Sequence, residues 1–229
     1  MWSIPGRSLW LLALSLVALL VWDASGLDLA LAQWFGGPGG FPLRDSWLLS
    51  QALHGALRVA AWIFSLVLCA NVVWPVGFMS GLKLARRVQL PASALLATGV
   101  IATLKVLSST SCPWDLAQFG GVAQYVSHWQ GWTTTDGGGG HCFPAGHAAS
   151  GFAFVGGFFA LRADRPRAAR AWLIGSLVTG FVAGATQQLR GAHFMSHTLW
   201  TAWICWAVGA LTDSLFTKNE EAPATLLIQ

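Results

Sequence analysis

Charge is what this sequence has least of. Only 10% of its 229 residues are Asp, Glu, Lys or Arg, against 55% hydrophobic, and the mean hydropathy is +0.57. An average soluble domain carries about 25% charged residues, so an ordinary water-soluble globule is excluded and a membrane protein is indicated. The four cysteines, Cys69, Cys112, Cys142 and Cys205, include no C-x-x-C pair, and no paired-thiol motif organises the chain. The alternating pattern of a β-barrel is also missing. The length suits one compact bundle over residues 1–229, with no room for a separate soluble domain.

What is present is a series of apolar runs near the ~20 residues a membrane helix needs. They cover Leu9–Trp22, Val59–Leu82, Pro91–Leu107, Gly146–Leu161, Ala171–Ala185 and His193–Phe216. The expected fold is therefore all-α, a bundle of six transmembrane helices. Pro75 is expected to kink the second span. The segment SWLLSQALHGAL from Ser46, apolar at roughly helical spacing, predicts an interfacial helix lying on the membrane. The basic start before the first run resembles a signal peptide, but a retained first helix fits a bundle with this many later spans better.

The net charge of +4 and pI of about 9.2 do not point to nucleic acid, because the basic residues fall in short patches between apolar runs. With six spans, Arg7, the Lys83–Arg87 patch, the Arg162–Arg170 patch and the tail with Lys218, Glu220 and Glu221 share one side. The positive-inside rule makes that side cytoplasmic. The polar, Gly-rich loop Ser108–Phe143 and the turn before the last span then face outward together, and long loops in compact bundles tend to be functional.

Three groups of residues converge on that outward face. Lys105 lies near the outer end of the third span, with six residues between it and Cys112-Pro113. Pro144-Ala145-Gly146-His147 opens the fourth, where small residues admit close backbone approach and free N–H groups bind anions. Gln187, Arg190, His193 and His197 surround the start of the sixth, with the two histidines i,i+4 apart. Titratable groups at membrane depth are costly and usually line a functional cavity. A cation, an anion-binding helix start and several histidines are what phosphoryl transfer through a phosphohistidine requires.

In order and spacing these pieces resemble the integral-membrane type 2 phosphatidic acid phosphatases, which share a fold with vanadium haloperoxidases. The three signatures K-x6-R-P, P-S-G-H and S-R-x5-H-x3-D would correspond to Lys105-x6-Cys112-Pro113, Pro144-Ala145-Gly146-His147 and Thr186-Gln187-x5-His193-x3-His197. The motif-bearing core is about 92–216. The resemblance implies His193 as nucleophile, His147 as acid to the leaving oxygen, and Lys105 with the backbone around Ala145 and Gly146 on the phosphate. It departs from the pattern at Cys112 and Gln187, which stand for arginines, at Ala145, which lacks a hydroxyl, and at His197, which stands for an aspartate. Arg190 is the candidate replacement cation. His197 is expected to accept a hydrogen bond from His193, and Asp115 or Asp136 are candidates for the missing negative charge.

On an oxidising outer side, Cys112 and Cys142 are expected to form a disulfide that clamps the first motif to the second; Cys69 and Cys205 read as apolar packing. Two other readings stay open. His141, Cys142, His147, His193 and His197 are possible zinc ligands, although no carboxylate sits with them and Lys105 would repel the ion. The fold is also compatible with a non-catalytic lipid-binding or transport role. The leading expectation is a phosphatase of the bacterial inner membrane with a periplasmic active-site loop, needing no cofactor or metal. Its partners would be the membrane and a lipid phosphate, first undecaprenyl pyrophosphate, then lipid A, phosphatidic acid or phosphatidylglycerol phosphate.

Overall fold

The computed structural model describes residues 6–221, so the first residues of the basic start and the last of the C-terminal tail lie outside the described residues. Within that range the named elements are all helical. Helix α1 (Gly6–Ala24) bends by 64° into the short α2 (Leu27–Gln33). Four long helices follow in the chain: α3 (His54–Val73), α4 (Leu84–Leu107), α7 (Pro166–Leu189) and α8 (Met195–Glu221). Between α4 and α7 lie two short pieces, α5 (Ala149–Phe152) and α6 (Gly156–Leu161), joined by the 3-10 turn Ala153–Val155. Among the described residues four segments, Leu48–Gly81, α4, α7 and Met195–Lys218, are long and apolar enough to cross a membrane, and the bent α1–α2 pair makes a fifth if it is one span.

The expected helix positions are occupied, with different ends. α4 starts seven residues before the expected Pro91, which it carries in its interior. The reason is that the charged residues of its first turns are neutralised. Arg86 is 3.1 Å from Asp213 of α8, Gln89 donates to the same carboxylate at 2.9 Å, and Arg162 reaches its other oxygen at 2.7 Å. α8 likewise runs on through Lys218 to Glu221 rather than ending near Phe216.

Two expectations are corrected. The segment from Ser46 is not a separate interfacial helix: Leu48–Leu53 forms a π-helical turn that feeds directly into α3, so its helical spacing is that of the next helix. The short helix in this region is instead α2. Pro75 does not kink the second helix; α3 ends at Val73, before the residue whose backbone the proline ring constrains, and Gly77–Gly81 is a 3-10 turn.

Ala149–Leu161 is the short apolar helix of the bundle. At 1.5 Å per residue it covers about 20 Å, less than the ~30 Å hydrocarbon core. Nearly all of it is buried against α4, α7 and α8. Small residues make that central position possible. A Cβ on Gly151 would lie 2.1 Å from the Gly180 nitrogen of α7, and one on Gly156 would meet Ser93 of α4 and Gly209 of α8. Gly151→Ala is therefore expected to push α5 off α7 and to cost about 1–3 kcal/mol or more. Thermal unfolding of the detergent-solubilised protein checks this, and an unchanged midpoint would contradict it.

Candidate active site

The site lies at the end of the bundle opposite the Asp213 cluster, where α3 and α8 begin and α4 and α7 end. Over it lies the loop 108–143, which is irregular but pinned at several points. Ser109 N–H donates to the Gly131 carbonyl at 2.8 Å, His141 N–H to Ser108 at 2.8 Å and Cys142 N–H to Thr110 at 2.9 Å. Asp136 is buried and accepts from the Ser111 amide and hydroxyl and the Gly138 amide, at 2.6, 2.8 and 3.0 Å. The expected disulfide is present: Cys112 and Cys142 are bonded across 30 residues with Cα atoms 5.2 Å apart. Cys69 and Cys205 are free.

Beneath the loop is a cavity of about 760 Å³ whose lining includes Lys105, Cys112, His147, Gln187, Arg190 and His193. Residues from three distant motifs thus share one wall. The rings of His147 and His193 are 5.8 Å apart between centroids, neighbours on the same cavity wall. His193 sits in the short link before α8, not on the helix as its i,i+4 spacing to His197 had allowed. It is almost wholly buried, and its Nδ1 lies 3.4 Å from Cys142 Sγ. Burial, then the positive charge of Lys105 and the neighbouring His197 and His147, hold its pKa well below 6.5, with the Cys142 backbone acting the other way. It is therefore neutral at ordinary pH, and contact with Cys142 at Nδ1 leaves Nε2 for the cavity.

A scan of family models adds the deciding observation: the model of the PAP2 superfamily matches residues 87–221, more than half of the chain. The chain belongs to the PAP2 superfamily. Searches of curated proteins and of solved structures return no match. Membership supports a hydrolase of phosphoric esters, and the matched stretch contains the whole motif set from Lys105 to His197. In this PAP2 protein the surroundings of the two histidines differ from several of the expectations drawn from sequence.

His197 does not line the cavity; it lies behind His193, fully buried, with its ring 5.8 Å from that of His193. The expected hydrogen bond between them is not formed, and among the described residues His197 Nδ1 has no partner. Asp115 and Asp136 do not supply the missing charge either. Asp136 is used up within the loop, and Asp115 accepts from its neighbour Trp114 and faces a different surface hollow. Ala145 is buried and donates its N–H to the His197 carbonyl at 3.3 Å, so that amide is not free for an anion. Gly146 does open on a groove beside Lys105, where a Cβ would approach the lysine chain at 3.4 Å.

Two acidic groups of α1 and α2, outside the matched stretch, hold the elements around the site. Asp28 accepts from the Ser196 amide at 3.0 Å and from its hydroxyl, holding the first turn of α8. Asp23 accepts from the Trp200 and Trp129 indoles at 2.9 and 3.0 Å and lies 3.3 Å from His128 Nε2, which stands 5.8 Å from His197 between ring centroids. Their carboxylates bond to the elements that carry His193 and His197 and not to the His193 ring.

On the cationic side, Arg190 donates Nε to the Arg44 carbonyl at 2.8 Å and Nη1 to Gln187 at 3.1 Å. It also lies over the Trp114 ring, 5.7 Å from its centroid. Gln187 is thus oriented by Arg190 and lines the cavity, and its buried Nε2 has no hydrogen-bond partner among the described residues. The residue that sequence reasoning missed is Arg58. It follows the turn into α3, lines the same cavity, and stood outside the compared motifs; its one signal was a lone arginine at the head of an apolar run. As for zinc, His193, His197 and Cys142 do cluster, their candidate ligand atoms within 4.8 Å. With Cys142 in a disulfide, however, no thiolate is available, and two imidazoles alone do not make a structural zinc site.

Proposed function

We propose that this chain is a membrane lipid phosphatase that hydrolyses a phosphate or pyrophosphate ester of an amphiphilic lipid through a phosphohistidine on His193. The observation that carries the reading is the cavity itself: two neighbouring imidazoles, with Lys105, Arg190, Arg58 and Gln187 on the same wall and, among the described residues, no carboxylate lining it. His193 Nε2 attacks phosphorus, the ester P–O bond breaks, and the leaving oxygen takes a proton from His147. Water then attacks the phosphohistidine, giving a proton to His147 and releasing phosphate. The cations stabilise charge on the equatorial oxygens. Lysine and a partly committed Arg190 replace arginine forks imperfectly, so turnover below that of a full motif set is expected.

The bundle is read as six spans in a bacterial inner membrane, with the cationic α3–α4 and α6–α7 turns cytoplasmic and the cavity periplasmic. Undecaprenyl pyrophosphate at the outer leaflet is the first candidate substrate; lipid A, phosphatidic acid and phosphatidylglycerol phosphate follow. The test is phosphate release from these lipids by the purified protein beside His147→Ala and Arg190→Ala. Activity on at least one lipid, retained in EDTA and lost in His147→Ala, is expected. No release from any of them would reject the reading in favour of a lipid-binding role.

A further inference from the structure

The phosphate cavity is not closed below. Four of its wall residues, Arg58, Trp62, Lys105 and His147, also line a second hollow of about 430 Å³ between α3, α4 and α5, whose remaining lining is largely apolar. That groove descends α4 from Lys105 to Leu95, about 15 Å at helical rise, and follows α3 from Arg58 to Ser65. His193, Gln187 and Arg190 line the upper cavity and not the groove. The two sets of polar groups are therefore stacked: one at the junction with the apolar groove, one farther from it.

We propose that Arg58 clamps the lipid-side phosphate of a lipid diphosphate, and that the site is built for two phosphoryl groups in series rather than one. This rests on the phosphatase reading and names the substrate class within it. A hydrocarbon chain in the α3–α4 groove brings the first phosphate to Arg58, Lys105 and His147, and the second to His193, Gln187 and Arg190. His193 then bonds to the terminal phosphorus, the bond from that phosphorus to the bridging oxygen breaks, and the electron pair leaves on the lipid monophosphate, which takes the His147 proton. Water cleaves the N–P bond as before. Arg58 is free for this use: its side chain is exposed and, among the described residues, no hydrogen bond or ion pair occupies it. Lys105 alone would have to balance a leaving group that carries more than one negative charge. A monoester leaves as an alcohol and gives Arg58 no such charge to hold.

The test compares wild type, Arg58→Gln and Arg58→Lys, full length in detergent, on a prenyl diphosphate and the matching prenyl monophosphate. Losing a charge-paired contact of this kind lowers kcat/KM by about 30-fold. That loss is expected on the diphosphate, with a clearly smaller one on the monophosphate, so that selectivity drops about 10-fold or more and Lys recovers part of it. Equal losses on both substrates, or none, would overturn the proposal. Calorimetric binding of inorganic pyrophosphate and of orthophosphate gives a readout without turnover. Wild type should prefer pyrophosphate and Arg58→Gln should lose that preference; the same preference in both proteins would overturn the clamp. If no lipid is turned over but the preference still depends on Arg58, the phosphatase reading fails while the two-phosphate site stands.

Discussion

His193→Ala is expected to abolish phosphate release, with a fall on the order of 10⁴-fold or more, as for a nucleophile whose loss disables the whole relay. His193→Gln, closer in size, should do the same while leaving the thermal unfolding midpoint near that of wild type. An acid-stabilised quench of the wild-type reaction with labelled substrate should leave label on His193, and none should remain on either variant. Activity of His193→Ala within about tenfold of wild type would remove this residue from the chemistry. A second readout comes from its ionisation. Because burial and Lys105 lower the His193 pKa, the neutral, nucleophilic form persists on the acid side of the usual imidazole range and is lost only well below pH 6.5. The acid limb of kcat/KM, which reports the free enzyme, should therefore lie below pH 6.5 once the substrate's own ionisation is divided out. A limb at or above 6.5 would mean that His193 is not the group that must be neutral.

The pairing of His147 with His193 was legible because each stands in a short run of small or polar residues where an apolar helix begins, and membrane helices have few places to put an imidazole. The disulfide was legible for a similar reason: two cysteines in one polar loop, two in apolar runs. Three things were not. Arg58 sits at the head of an apolar run, where an arginine reads as an interface anchor, and only the placement of the start of α3 beside the end of α4 puts it on the cavity wall. Asp23 and Asp28 act on residues more than 100 positions away, on Trp129, Trp200 and Ser196, and nothing in their neighbourhood announces it. Helix ends were displaced wherever a tertiary partner cancelled a charge, as Asp213 does for Arg86, or wherever one apolar pattern ran into the next, as at Leu48–Leu53. The acidic partner sought for His193 near the motifs proved to be dispersed among supports for the α8 start, which pattern alone cannot show.

Breaking the Cys112–Cys142 bond should have the other large effect, because the bond acts on both stability and chemistry. It closes a loop of 30 residues' separation, which the chain-entropy treatment values at about 3–4 kcal/mol, a large part of what a membrane bundle of this size has in reserve. The loop it closes also carries the Asp136 staple and His128, so loss of the bond loosens the roof of the cavity. Its chemical effect follows from position. Cys112 lines the cavity, and Cys142 Sγ lies against His193 Nδ1 while the residue's backbone bears on the same ring. With the aspartate of the PAP2 pattern replaced by a histidine that makes no bond to His193, the bridged Cys142 is the group left to fix which nitrogen faces phosphorus. Reduction in the folded detergent-solubilised protein, or the double substitution Cys112→Ala with Cys142→Ala, is expected to lower the unfolding midpoint and to depress kcat more than KM, by about tenfold or more. The double variant should no longer respond to dithiol reductant, whereas wild type should recover on reoxidation. Wild-type kcat and unfolding midpoint that are both indifferent to the reductant, with the bond shown by mass spectrometry to be open, would leave His193 oriented by something other than this bridge.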